Sequence, residues 1–293
     1  MLMATISQWV EGARPRTLPA ALAPVAVGTG SAAGLGHWDA ALALLALLVA
    51  LFLQVGVNYA NDYSDGIRGT DADRVGPVRL VGGGLATPLL VKYAAFTCFG
   101  LACLAGLALM GLSGDTWLLL IGIAAVLAAW FYTGGRRPYG YAGLGEVFVF
   151  VFFGLVATVC TAYTQAEKVD AGTWAGAVGI GSIITAVLVA NNLRDISGDE
   201  VAGKRTLAVR LGDRGTRILY VVLMVTPAVC AGLAAWAGHR WALLGLVGLL
   251  PAIKPCLDVL RGATGPALIR VLAATGLVAL TYGGLLAAGL AIH

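Results

Sequence analysis

Two short stretches carry most of the oxygen chemistry in this chain. Asn58, Asn61, Asp62 and Asp65 stand in Asn58-Tyr59-Ala60-Asn61-Asp62-Tyr63-Ser64-Asp65-Gly66, and Asn191, Asp195 and Asp199 stand in Asn191-Asn192-Leu193-Arg194-Asp195-Ile196-Ser197-Gly198-Asp199. Each stretch has an Asn four residues before an Asp, and each closes an apolar run of membrane-spanning length. On a helix, residues four apart share a face, so Asn58 aligns with Asp62, Asp65 lies one turn on, and Asn191, Asp195 and Asp199 form a second column. An ionisable residue within a span costs roughly 2.5–3.5 kcal/mol on insertion scales, and like charges in contact raise one another's pKa. Converging carboxylates therefore need cations or water. Carboxylate and amide oxygens are hard ligands that suit Mg2+, which takes one or two carboxylates and completes its shell with water and substrate phosphate. The two columns point to a divalent-metal site for a phosphate or diphosphate. Solvated loop charges neutralised by nearby Arg and Lys are the plainer alternative.

Cations in the same connections fit such an anion. Arg79 follows Gly76-Pro77, Arg136 and Arg137 follow the fourth apolar run, and Lys204 and Arg205 lie just past Asp199. Placed at a departing diphosphate, they would stabilise its growing charge; each also satisfies the charge bias of inner loops, and the sequence leaves both roles open. Gly82-Gly83-Gly84 reads either as a backbone nest for phosphate oxygens or as a simple turn. Tyr132 and Tyr141 flank the Arg136-Arg137 loop, where their rings could face a cationic intermediate or mark the membrane interface. Glu146 opens the next run, either stabilising a helix N-terminus or lying near substrate.

What must position these groups is a membrane scaffold. A chain of 293 residues that is 59% hydrophobic and 12% charged, with a mean hydropathy of +0.87, excludes a soluble globular domain. Its 41 glycines suit helices that approach closely in lipid. Apolar runs near the length a bilayer core requires, roughly 20 residues, fall at 18–34, 40–62, 93–112, 116–133, 144–163, 172–194, 217–237, 241–260 and 267–291. The expected fold is an all-α integral membrane protein with nine transmembrane helices around a central cavity. The eighth run is interrupted by Pro251, Lys254 and Pro255, which predicts a kink.

With the N-terminus taken as cytoplasmic, only Lys168 and Arg240 of the nineteen Lys and Arg fall outside. That asymmetry sets the sidedness under the positive-inside rule and puts the acidic motifs at the cytoplasmic face of the cell membrane. Residues 1–293 read as one polytopic domain: helices 1–4 and 5–8 form two weakly similar halves, each with its acidic motif at the end of its second helix, and helix 9 is additional. Residues Ile6 to Ala13 form an amphipathic lead-in or a plain basic anchor before the first run, and no cleavable signal is evident. The five cysteines have no paired spacing, so neither a disulfide framework nor a zinc site is expected. A net charge of +4 gives no pointer to nucleic acid, and oligomeric state is not legible.

The residues also carry a resemblance. The pattern of Asn58, Asp62 and Asp65 with Asn191, Asp195 and Asp199, on the second and sixth of nine spans, resembles the UbiA-type intramembrane aromatic prenyltransferases over nearly the whole chain. More narrowly, Arg14-Pro15-Arg16-Thr17-Leu18-Pro19, Asn61-Asp62-Tyr63-Ser64-Asp65 with Gly69-Thr70-Asp71, Tyr132-Thr133-Gly134-Gly135, Gly143-Leu144-Gly145-Glu146 and Gly203-Lys204-Arg205-Thr206-Leu207-Ala208 are similar to the 1,4-dihydroxy-2-naphthoate polyprenyltransferases. Where the broader superfamily often carries a further Asp, position 69 is Gly, and Asp71 is expected to take that place. The resemblance implies transfer of a polyprenyl chain from polyprenyl diphosphate to 1,4-dihydroxy-2-naphthoate, with loss of pyrophosphate and carbon dioxide to give demethylmenaquinone. It implies Mg2+ held by Asp62, Asp65, Asp71, Asp195 and Asp199, with Lys204 assisting catalysis. Asn58, Asn61, Arg79, Tyr132, Arg137, Tyr141, Glu146 and Asn191 are expected at the substrates, and the polyprenyl tail in membrane lipid.

Three other readings share some features. Prenylation of another aromatic acceptor would use the same fold. Asp62-Tyr63-Ser64-Asp65-Gly66 also opens the CDP-alcohol phosphotransferase pattern, but that pattern keeps all its acidic residues in one stretch, and here the second pair is far away. An ion-coupled transporter usually carries its carboxylates near mid-membrane rather than at one face.

Overall fold

The computed structural model describes residues 4–69 and 78–292, and all regular structure among them is helical. A short helix, α1 (Ile6–Gly12), opens on a reciprocal cap in which the Thr5 hydroxyl accepts the Gln8 N–H and the Gln8 side chain accepts the Thr5 N–H. A single 3-10 turn at Pro15–Thr17 then leads into α2 (Pro19–Gly34). The remaining helices are α3 (Ala40–Arg68), α4 (Pro88–Ser113), α5 (Leu118–Phe131), α6 (Gly145–Ala166), α7 (Ala171–Val201), α8 (Leu207–Trp236), α9 (Arg240–Leu260) and α10 (Pro266–Ala291). Their starts follow local chemistry: Asp39, Thr87, Asp170 and Thr206 cap α3, α4, α7 and α8 with side-chain oxygens. Gly69 and Gly114 end α3 and α4 in the left-handed conformation that glycine adopts without steric cost.

Among the described residues, seven helices are long and apolar enough to cross a membrane, namely α3, α4 and α6 through α10. The chain is a multi-pass membrane protein. All nine expected runs are helical, but α2 has 16 residues and α5 has 14. At 1.5 Å per residue such helices rise roughly 21–24 Å, short of a ~30 Å hydrocarbon core. Large apolar side chains such as Leu104, Leu120, Val222 and Val229 lie on the outer surface, as expected of a body solvated by lipid.

The central element is α7, with 78% of its most apolar window buried against 22% for α3. It packs on α8, α10, α6 and α2 around Ile180, Ile183, Val189, Tyr220 and Tyr282. A second packing centre joins α3, α4 and α5 through Tyr59, Leu80, Val91, Phe99 and Ala129. Two irregularities shape the interior. Phe150–Val156 of α6 is a π-helical stretch, a form often found at functional sites. There a Cβ added to Gly154 would sit 2.6 Å from the Gly181 Cα of α7, so two glycines allow the backbones to touch. The predicted kink is present in α9, where a 3-10 turn at Leu250–Ala252 carries Pro251.

Three boundaries differ from the expected runs in a way that bears on the site. Helix α3 continues past 62 to Arg68 and α7 past 194 to Val201, so Asp65 and Asp199 sit on helical turns. Helix α8 begins at Leu207, ten residues before its apolar run, and breaks at Gly212, where φ is 69°. Apolar length marks only the lipid-crossing part of each helix, and polar turns beyond it persist where tertiary contacts support them.

Candidate active site

The last turns of α3 bury five polar side chains, Asn58, Asn61, Asp62, Ser64 and Asp65. Asp62 accepts the Leu80 N–H on Oδ2 at 2.8 Å and the Val81 N–H on Oδ1 at 2.9 Å, so both its oxygens hold the backbone of the connection to α4. Asp65 lies on the cavity wall. Its Oδ1 accepts the Tyr141 phenol and, at 3.1 Å, the Lys204 ammonium, while the Arg79 guanidinium stands 3.8 Å from Oδ2. Asn61 accepts the Thr133 hydroxyl at 2.8 Å. Asn58 donates to the Ala13 carbonyl at 2.9 Å and to the Thr17 hydroxyl at 3.0 Å, tying the N-terminal lead-in to α3.

The second column, on α7, is arranged differently. Arg194 grips Asp195 with two hydrogen bonds, 2.7 Å from Nε and 2.8 Å from Nη2, and Nη2 also donates to Asn191 Oδ1 at 2.9 Å. Asp199 stands 3.9 Å from the Lys204 ammonium. Lys204 is itself buried, reached by the tight turn in which its N–H bonds the Asp199 carbonyl at 2.8 Å. Its ammonium lies 4.6 Å from the Tyr141 ring centre, a cation–π arrangement. Burial pushes the Tyr141 phenol upward in pKa, and the Asp65 carboxylate beside it pushes the same way, so Tyr141 stays a hydrogen-bond donor.

The two halves of the chain therefore meet at one ammonium, with Asp65 from α3 and Asp199 from α7 on either side. Asp62 and Asp195 are engaged by other partners. Among the described residues no group of three or more His, Cys, Asp or Glu is clustered closely enough to hold a metal by itself. Asp71 lies outside the described residues.

From this charged mouth a cavity of about 1090 Å3 runs into the apolar interior. Glu11, Arg14, Arg79, Asp65, Asp199 and Lys204 line the polar end, and Leu53, Ala102, Gly106, Met110, Ile123 and Phe152 line the apolar part. Asn58, Asn61, Tyr132, Tyr141 and Asn191 also reach the wall. Arg137 does not: it is exposed on the loop after α5. Glu146 is buried just behind the wall and accepts the Asn192 amide N–H at 2.8 Å. The triple glycine 82–84 is a tight turn, with the Gly83 and Gly84 N–H groups bonded to the Arg79 and Val81 carbonyls.

Residues 21–264 match the sequence profile of the UbiA prenyltransferase family. The chain belongs to that family. Among its relatives, the 1,4-dihydroxy-2-naphthoate octaprenyltransferase of Mycobacterium tuberculosis is 54% identical over 99% of this chain and 98% of the relative. Among solved structures, a UbiA homolog from Aeropyrum pernix K1, in its apo form, aligns with a TM-score of 0.68 at 14% identity, covering 92% of this chain and 96% of the other. A UbiA homolog from Archaeoglobus fulgidus bound to GPP and Mg2+ aligns at 0.65 with 16% identity, covering 97% and 100%. At such identities these likenesses establish the UbiA fold.

Among the residues that the UbiA cavity brings to its wall, sequence reasoning assigned no role to Arg14, Thr133, Tyr139 and Asn192. Arg14 stood in the sequence within the basic lead-in and the Arg14–Pro19 motif, with no role at the cavity assigned to it. Its backbone adopts φ 55° and ψ 68°, a left-handed conformation unusual for a residue with a side chain. Asn192 was overshadowed by Asn191, whose spacing to Asp195 matched the first motif.

Proposed function

We propose that this protein transfers a polyprenyl group from polyprenyl diphosphate to 1,4-dihydroxy-2-naphthoate. The observation that carries the reading is the two-part cavity, in which three carboxylates and several cations at one end continue into an apolar channel at the other. That combination fits a ligand with a diphosphate head and a hydrocarbon tail, and the relative's name as a naphthoate octaprenyltransferase supports the acceptor.

In the reaction the carbon–oxygen bond of the donor breaks and its electron pair leaves with the diphosphate. The ring carbon bearing the carboxylate supplies the electrons for the new carbon–carbon bond, and carbon dioxide departs with restoration of the aromatic ring. No oxidant takes part, so demethylmenaquinone leaves at the hydroquinone level. Lys204 and Arg79 are assigned to the diphosphate, where charge grows as the bond breaks. Arg14 stands at the same mouth as a further cation. Tyr141 orients Asp65 by its phenol hydrogen bond. The apolar walls exclude water from a reactive allylic cation.

The donor set fits Mg2+, because one carboxylate from each half faces the other across Lys204, and one or two carboxylates plus phosphate oxygens are what that ion usually takes. Asp65 and Asp199 would hold it, and when bound it would neutralise the diphosphate and favour its departure. That the A. fulgidus homolog of the same fold is bound to GPP and Mg2+ supports Mg2+ as the ion. Asp62 and Asp195 would serve the site by fixing the α3–α4 connection and Arg194. Asn58, Asn61 and Asn191 would shape the polar wall, with Tyr132 and Glu146 beside the acceptor and Arg137 outside the cavity.

We further infer that α2 and α5 cross the membrane with the other seven, giving nine spans and a cytoplasmic N-terminus in the plasma membrane. The Lys and Arg bias supports this sidedness, which opens the charged mouth to the cytoplasm. Residues 1–293 would then form a single polytopic domain of two four-helix halves and a closing α10.

The test is reconstitution in liposomes with Mg2+, a polyprenyl diphosphate and 1,4-dihydroxy-2-naphthoate, with a second hydroxylated aromatic acid as a competing acceptor. Prenylated naphthohydroquinone and carbon dioxide in equal amounts are expected. Folded protein that yields neither, or that prefers the other acid, would overturn the assignment.

A further inference from the structure

Part of the cavity wall is built from aromatic rings. Tyr132, Tyr139, Phe148 and Phe152 all line the cavity. Tyr139 stacks on Phe148 with ring centres 4.0 Å apart at 25°, Phe148 lies over Phe152 at 6.1 Å and 22°, and Tyr132 meets Tyr139 edge-on at 5.6 Å and 68°. Phe148 and Phe152 are one turn apart on α6, so their rings are held in register by the helix. A row of stacked faces is a surface onto which a flat ring can stack.

Asn192 comes to the same cavity from α7. Its amide nitrogen donates to Glu146 Oε1 at 2.8 Å, and Glu146, 5% exposed, sits in the first turn of α6. A carboxylate oxygen accepts from an amide N–H and repels an amide oxygen, so Glu146 fixes which end of Asn192 faces it. Among the described residues the Asn192 side chain makes no other hydrogen bond. The end that remains for the cavity is its carbonyl oxygen, an acceptor.

An acceptor backed by a carboxylate repels a diphosphate and offers a hydrocarbon tail nothing. It suits a hydroxyl. We propose that Asn192 Oδ1 accepts a hydrogen bond from a ring hydroxyl of the aromatic acceptor, and that Glu146 is the positioning residue that orients the amide for it. The assignment rests on the proposed naphthoate transfer and deepens it. The hydroxyl contact would set which ring carbon faces the prenyl donor, and by drawing on the hydroxyl proton it would raise electron density in the ring. Nothing covalent happens at either residue.

The test compares 1,4-dihydroxy-2-naphthoate with its two mono-O-methyl ethers in wild type, Asn192→Leu and Glu146→Gln. Leu keeps the size of Asn192 without the oxygen, and Gln lets the Asn192 amide turn over. Wild type is expected to prefer the free hydroxyl at one ring position by about tenfold in kcat/KM, the worth of roughly one hydrogen bond. In both variants that preference should fall below about threefold, with KM for polyprenyl diphosphate unchanged, a split that loosened packing would not produce. If Asn192→Leu does not fold, Glu146→Gln alone decides. Wild-type turnover with undiminished hydroxyl preference in the variants would overturn this assignment alone. A folded wild type without turnover would overturn the naphthoate reading and this assignment with it.

Discussion

The two acidic columns look alike along the chain but find their partners in opposite ways. The column on α3 reaches across the molecule: Asp62 holds the Leu80 and Val81 amides of the next connection, and Asp65 meets Tyr141 and Lys204 from distant loops. On α7, Asp195 is gripped by its neighbour Arg194, which also holds Asn191. From each column one carboxylate, Asp65 or Asp199, is turned to the shared cation. The difference teaches that an Asn and an Asp four residues apart specify a helix face, and that the tertiary surroundings decide whether the carboxylate builds the wall or faces the ligand.

The comparison breaks most severely at Asp65 and Asp199. Alanine at either removes half of the paired carboxylates, and kcat/KM in liposomes should fall by about a hundredfold or more, the scale expected when a group that stabilises developing charge is lost. Lys204→Met removes the ammonium between them. A charge-assisted hydrogen bond is worth about 1.5–3 kcal/mol, so KM for the prenyl diphosphate should rise by about tenfold to a hundredfold.

Asp62→Asn against Asp195→Asn sharpens the contrast. In Asp62→Asn the new side chain would keep only one acceptor oxygen for two backbone amides, so limited proteolysis near residues 78–86 should quicken and activity drop by about tenfold. Asp195→Asn weakens the pair with Arg194 on the same helix and leaves the Leu80 and Val81 amides their carboxylate, so cleavage near residues 78–86 should match wild type. Equal cleavage in the two variants would remove the distinction.

The smallest effect lies at the far end of α7, where Asp170 caps the helix through the Thr173 N–H at 2.8 Å and meets His239 Nε2 at 2.6 Å. Burial alone would raise the Asp170 pKa, but the bonds from Thr173 and His239 outweigh it and hold the carboxyl below its usual range. A lowered folded-state pKa means the stabilisation is complete above the ordinary Asp value, near pH 4, and is lost as pH falls through the folded-state value. Thermal stability in detergent should therefore decline below about pH 4 more steeply in wild type than in Asp170→Asn, with turnover at neutral pH the same in both.

Much of this was legible because lipid imposes strong rules. Apolar runs located every helix that spans the interior, and Pro251 announced the turn within α9. The motif spacing placed Asp65 and Asp199 on their helices, and the family resemblance placed Lys204 near them. What was not legible is what depends on contacts between distant segments. No local pattern says that Asp62 bonds amides eighteen residues on, because backbone N–H groups carry no sequence signature. The persistence of α3 beyond residue 62 was hidden because hydropathy falls there while Ser64 and Asp65 stay buried. Arg137 looked like Lys204 in sequence, a cation in an inner loop, yet it lies exposed on the connection between α5 and α6. Asn192 needed the structure, since only the buried Glu146 from another helix reveals what its amide does.

The central claim is that carboxylates from both halves serve one metal and diphosphate site. Its most direct test is electron paramagnetic resonance of Mn2+ with a non-hydrolysable prenyl diphosphate analogue, on wild type, Asp65→Asn and Asp199→Asn. A tightly bound Mn2+ signal that appears with the analogue in wild type and is lost in each single variant is the predicted result. A wild-type signal retained in either variant would contradict the claim.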